Sequence, residues 1–326
     1  MGVRSLGNAL ASFGYKFGTT GSEAVTPAPG GFSASGGNSA DGLAPGNGYK
    51  YHTFTSNGTF TVTGGSKTME ILMVGGGGGS GPINDSRAGG GGAGGLIYWD
   101  SMSVTDGSYT VTVGNGGPGA STGGDGENSI FGPGTPLHLV ALGGGAGSAG
   151  ARNSMSDAGP GGSGGGGAGF GGNKPGAPGV QTSSGSIPAN SRTYGFGNAG
   201  QPGPNGAPGN GGGGGGGAGE AGGTDDPGTP NKGQGGDGKQ YPAFTGPLIG
   251  LPALNPHSGY FAGGGGGNIG GASGPNAGLG GGGTGTSDGS GTPGVDYTGG
   301  GAGGDGGGPA AGQSGGKGIV VIRYQS

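Results

Sequence analysis

Apolar residues alternate in short strand-like runs up to residue 142, such runs almost vanish between 143 and 318, and one returns in the last eight positions. Ahead of these runs, Val3, Leu6, Leu10, Phe13 and Phe17 recur at three- and four-residue steps, which predicts one apolar face of a short helix suited to docking. Residues 19–48 have the Gly, Pro, Ser and Thr content of a linker. From Tyr49, YKYHTFTSNGTFTVT predicts a hairpin whose Ser56-Asn57-Gly58 loop sets Phe54 opposite Phe60 and His52 opposite Val62. TMEILMV (68–74) has apolar residues on both faces and reads as a strand covered on both sides, and it runs directly into Gly75–Gly79. A second hairpin is expected at Asp106-Gly107, pairing Val104 with Tyr109 and Met102 with Val111. NSIF (128–131) and LHLVAL (137–142) continue the strands. The closing GIVVIRY requires a covered place in a sheet, and its only suitable partners lie before residue 143.

Composition changes the picture, because 108 of the 326 residues are glycine and only 27% are hydrophobic. Each glycine costs roughly 0.5–1 kcal/mol more than alanine to order, so side-chain burial alone cannot hold such a chain. Collagen does not fit: there are 23 prolines, and the triplet period is broken. Glycine does keep triplet spacing in patches, at 197, 200, 203, 206, 209, 212 and 215, and again at 300, 303, 306, 312, 315 and 318. Elsewhere it forms unbroken runs such as Gly211–Gly217. Three residues per turn is the polyproline II period, and stacked helices of this kind can pair their backbones only where no Cβ separates them. The runs therefore predict places where main chains touch on more than one side.

The expected fold is all-β: an antiparallel β-sandwich-like base with an inserted bundle of polyglycine II helices and irregular loops. The expected divisions are a docking segment and linker at 1–48, a strand-rich base at 49–142, and a glycine-rich region at 143–326 closed by a strand at 318–324.

The 9% of charged residues and net charge of −4 give no basic surface for nucleic acid, and the absence of cysteine removes disulfides and thiolate metal sites. GGSGG at 161–165 matches the nucleophile-elbow spacing by composition alone, and no strand is expected before it. His52, His138 and His257 lie far apart in sequence, so no catalytic residue, metal or cofactor is expected.

MEILMVGGGGG, AGGGGAGG, YTVTVGNGG and GGKGIVVIRY together resemble the glycine-rich domain of bacteriophage tail-fibre and other virion proteins. More loosely, they are similar to the tail-fibre-tip adhesins of T-even-type phages, whose polyglycine II sandwich displays receptor-binding loops. The resemblance implies a virion location, other virion proteins as partners, and a homotrimer. It also implies recognition of a host cell-surface glycan or outer-membrane protein by the loops between glycine segments. Loop aromatics either plug gaps between glycine segments or stand exposed as contacts, and Arg192, Tyr194, Tyr241, Phe244 and Tyr260 are the receptor-binding candidates, with Leu6, Leu10, Phe13 and Phe17 as virion-docking candidates. The alternatives are a capsid-attached decorating fibre and an ice-binding protein built on polyglycine II helices.

Overall fold

A computed structural model describes residues 31–81, 87–119, 122–151, 154–169, 174–181, 195–203, 211–223, 233–268, 277–287, 289–306 and 312–326. Phe32–Ser326 forms one compact unit. The described residues hold β-strands and two short 3-10 helices, at Pro242–Phe244 and Pro252–His257, and no α-helix. All strand pairs are antiparallel.

The main strands are β1 (Ser33–Ser35), β2 (Ala40–Leu43), β3 (Tyr49–Phe54), β4 (Gly58–Thr63), β5 (Lys67–Val74), β6 (Leu96–Val104), β7 (Gly107–Thr112), β8 (Ser129–Phe131) and β9 (Leu139–Ala141). Short pairs follow at β10 (Gly150–Ala151) with β11 (Ser154–Met155), and at β13 (Lys239–Gln240) with β14 (Tyr260–Phe261). β12 (Gly195–Phe196) and β15 (Ile319–Gln325) complete the set. One sheet has the order β1-β4-β7-β8-β9 and the other β12-β6-β5-β15-β3-β2.

Alternation within the strands dictates how the sheets stack. Phe60, Val62, Tyr109, Val111 and Phe131 of the first sheet share one buried cluster with Met69, Ile71, Met73, Trp99, Met102, Val104, Val320 and Ile322 of the second. The intervening residues Tyr51, Leu72, Val74, Leu96, Ile319 and Val321 face the other way, onto Phe244, Ile249 and Phe261. The six-stranded sheet is thus covered on both faces, as the doubly apolar strands require. β15 lies between β5 and β3, pairing Ile319 with Val74 and Val321 with Thr53, so the chain end does return to the early strands.

Both expected hairpins are instead sheet crossings. β3 and β4 lie in different sheets, as do β6 and β7. Phe54, Phe60, Met102, Val104, Tyr109 and Val111 all reach one core, but the members of each expected pair come to it from opposite sheets rather than side by side. Alternation fixes which face is inward and leaves the position of the partner open. Residues expected to be a linker also build strands: β1 pairs with β4, and β2 pairs with β3. Nor does residue 143 divide strands from glycine lattice, since glycine segments within 75–128 belong to that lattice.

The hydrogen bonds of Ala88–Gly95 show how the lattice is built. The N–H groups of Ala88, Gly91 and Gly94 donate to the carbonyls of Asp305, Ala302 and Gly299. Those of Gly89, Gly92 and Gly95 donate to Ser148, Gly145 and Leu142, and those of Gly90 and Ala93 to Gly213 and Gly216. In return, Gly75 and Gly78, Ser163 and Gly166, and Gly265 and Asn268 donate to carbonyls of this segment. Every third residue addresses the same neighbour, which is the period of a three-residue turn. Neighbours run in both directions.

Glycine spacing follows from this arrangement. A Cβ on Gly89 would lie 1.9 Å from the carbonyl oxygen of Gly166, one on Gly90 2.1 Å from that of Gly265, and one on Gly91 2.1 Å from that of Gly78. Three successive glycines face three different segments, so glycine is favoured at consecutive positions of a segment covered on several sides. Gly197 and Gly200 face a single segment, where an added Cβ would lie 1.8 Å from the Gly162 oxygen and 2.1 Å from the Gly165 oxygen, while Asn198, Ala199 and Gln201 occupy the other phases. Around Gly197 and Gly200, triplet spacing coincides with a lattice edge, where Asn198, Ala199 and Gln201 are half-buried. Gly206 and Gly209 lie outside the described residues.

Candidate functional site

Glycine segments leave the sheet directly at Val74-Gly75 and return to it at Gly95-Leu96 and Gly318-Ile319. Ser80 lies five residues beyond Gly75, at the far rim of the lattice. Polar side chains there take over the pairing of main-chain groups that run out of neighbours. The Ser80 hydroxyl donates to the Gly303 carbonyl at 2.8 Å and accepts the Gln313 N–H at 3.1 Å. The Asn268 amide donates to the Thr286 carbonyl, and the Arg87 guanidinium donates to Asn268 Oδ1 and to the Ser287 carbonyl, both at 3.3 Å. Ser80, Asn268 and Asp305 are fully buried. The connections 82–86, 269–276 and 307–311 join segments that end at this rim, and they lie outside the described residues.

Asp305 is the rim's electrostatic weak point. Its Oδ1 accepts the Gly291 N–H at 2.7 Å, while Oδ2 has no partner among the described residues. Burial pushes its pKa up from 3.8 to about 6, against the lowering effect of that hydrogen bond. A folded pKa above the unfolded one gives stability that is complete below about pH 4 and lost as pH rises through about 6. Asp305→Asn is therefore expected to stabilise the protein by up to about 3 kcal/mol at pH 8 and to change little at pH 4, measured by urea unfolding at both pH values.

His52 carries the opposite dependence within the sandwich. It is fully buried, its Nδ1–H donates to the Gly36 carbonyl at 2.7 Å, and its ring stacks on Tyr324 with centroids 5.7 Å apart. Burial lowers its pKa below 6.5, outweighing the raising effects of the Gly36 carbonyl and of Asp41, whose carboxylate is 3.2 Å away. Because the unfolded chain binds the proton more readily, His52 costs stability as pH falls below about 6.5. His52→Gln is expected to flatten this loss between pH 6.5 and 5, read from thermal midpoints across the range.

On the opposite face of the six-stranded sheet, Arg323 donates from one nitrogen to both Glu70 oxygens at 2.8 Å, and Tyr98 donates to Glu70 at 2.6 Å. The Arg323 guanidinium lies 4.2 Å from the Tyr49 ring centre and 5.0 Å from that of Phe244. This cluster clamps the segment 241–249 onto the sheet, and the Tyr51 hydroxyl adds a bond to the Ala243 carbonyl at 3.0 Å.

The candidate contact residues are dispersed by the fold. Phe244 is 1% exposed in the core beneath this cluster, which removes its ring from any external contact. Its place among the receptor-binding candidates is corrected, because it covers an apolar sheet face. Tyr241 is half-buried, 4.7 Å from the Tyr98 ring, with burial raising its hydroxyl pKa. Tyr260 is half-buried on β14. Arg192 and Tyr194, like Leu6, Leu10, Phe13 and Phe17, lie outside the described residues. The rim residues Ser80, Arg87 and Asn268 escaped sequence reasoning. Their one signal is a polar side chain placed within a few residues of a glycine run. Asp305, which beside glycines reads as a solvated surface acid, is instead fully buried because lattice segments surround it. Among the described residues, no group of three or more His, Asp or Glu side chains is placed to hold a metal ion.

Fold and lattice define an all-β protein in which a two-sheet sandwich anchors a hydrogen-bonded glycine lattice. The chain belongs to the glycine-rich domain family, whose model matches residues 53–325. No curated protein matches it.

Proposed function

We propose that this is a bacteriophage virion protein, part of a tail fibre or tail tip, that recognises the host cell surface with loops borne on a bundle of polyglycine II helices. The supporting observation is the lattice with period-three hydrogen bonding, whose segment ends gather at a rim away from the sandwich. A rigid support with variable connections is the arrangement that binding proteins use. In this reading the sequence pattern of Leu6, Leu10, Phe13 and Phe17 serves docking on other virion proteins, and the particle holds the chain as a homotrimer.

Two measurements test this reading. Gold-labelled antibody against the protein is expected to decorate the tail end of phage particles in micrographs, and the purified protein is expected to bind intact host cells and compete with phage adsorption. Label confined to the capsid would favour a head-decorating fibre. No label on particles and no cell binding would refute the proposal.

A further inference from the structure

A polar cleft of about 340 Å³ opens where the sandwich meets the glycine lattice, well away from the rim. Its walls come from chain segments distant in sequence: Ser56 and Asn57 from the crossing between β3 and β4, Thr112 from the end of β7, Asn115 and Glu127 from two glycine segments, and Lys317 from the segment leading into β15. The walls are fixed by internal bonds. Asn57 Oδ1 accepts the Val113 N–H at 2.9 Å, the Asn115 amide donates to Glu127 at 2.8 Å, and the Lys317 N–H donates to Asp296 at 3.0 Å. Among the described residues, the Asn57 amide nitrogen, the Thr112 hydroxyl and the Lys317 ammonium have no partner. The cleft therefore offers oriented donors beside a carboxylate that can still accept.

This inventory selects among ligand classes. A phosphate would face the Glu127 carboxylate. A nucleobase would find no ring in the lining to stack on, and an apolar peptide side chain would find no apolar floor beyond the buried Val113. A sugar ring carries donors and acceptors on the same hydroxyls and suits a lining that has both. The volume is at the small end of the roughly 300–1,000 Å³ of ligand sites, enough for one or two sugar rings.

We infer that this cleft is a saccharide-binding site, in which Lys317, Asn57 and Thr112 donate to hydroxyls of a pyranose unit and Glu127 accepts from them. The inference rests on the host-recognition reading only for the source of the sugar, a surface polysaccharide of the cell.

The full chain, labelled with ¹⁵N, is titrated with glucose, galactose, N-acetylglucosamine and glucuronate while backbone and side-chain amide shifts are followed. Saturable shifts at Asn57, Thr112, Asn115 and Lys317 are expected with at least one sugar, and the exposed double variant Lys317→Ala/Glu127→Ala is expected to bind it about tenfold more weakly or worse. Because the variant could alter the fold, its amide spectrum away from the cleft is compared with the parent. No saturable shift at the cleft with any of the four sugars would overturn the inference, as would binding undiminished in a folded variant. Cell binding that persists alongside such a failure would leave host recognition standing, whereas cleft shifts in a protein that binds no cells would uphold the site alone.

Discussion

Gly91→Ala is expected to destabilise the protein by more than about 3 kcal/mol, and Gly31→Ala to leave it unchanged within about 0.5 kcal/mol. A methyl at position 91 would lie 2.1 Å from the Gly78 carbonyl oxygen and 3.0 Å from the Ala302 nitrogen, whereas nothing lies within 4 Å of one at position 31. The obstacle at 91 is main chain on two sides, so no rotamer change relieves it. Separating the backbones would stretch the bonds from Gly91 to Ala302 and from Ala302 to Gly78, both of which hold neighbouring segments. By intrinsic propensity alone, alanine would have been favourable by roughly 0.5–1 kcal/mol. The sign therefore separates packing from propensity, and urea unfolding of the two variants beside the parent measures it.

Removing the last eight residues is expected to abolish folding. Ile319, Val320, Val321 and Ile322 are all fully buried, contributing to both apolar clusters, and β15 bonds to β5 on one side and β3 on the other. Its loss would expose two strand edges in the middle of a six-stranded sheet. It would also free the end of segment 312–318, which bonds to Gly77 and Ser80. Arg323 would leave Glu70 without its cation on a sheet face where the two side chains are 12% and 15% exposed. The truncated chain should lack the dispersed amide spectrum of the parent. A synthetic peptide of residues 316–326 added in trans should restore it by strand addition, which ties the defect to this strand.

Much of this architecture could be read from residue order. The doubly apolar β5 and β15 announced a sheet covered on both faces, and the unbroken glycine runs announced main-chain contact on more than one side. The two crossings at 56–58 and 106–107 could not be distinguished from hairpins, since Phe54 with Phe60, and Val104 with Tyr109, bury equally well beside or across from one another. β1 and β2 were hidden because SAS and ADGL carry too little apolar pattern to mark a strand and are held by their partners' edges. Phe244 was legible as an aromatic in a glycine-poor stretch, but its destination depended on a sheet face assembled from residues far away in sequence. Asp305 gave still less signal, because its burial follows from which segments surround it in the lattice.

Glycine main chains bond to different neighbours in turn, with a period of three, to form an ordered lattice. Amide hydrogen exchange of the intact protein, read residue by residue, tests it most directly. Strong protection is expected for Gly75–Gly79, Ala88–Gly95, Gly212–Gly217 and Gly263–Gly267, comparable with that of β5 and β15. Exchange of these glycine amides at the rate of unstructured chain, while β5 and β15 stay protected, would contradict it.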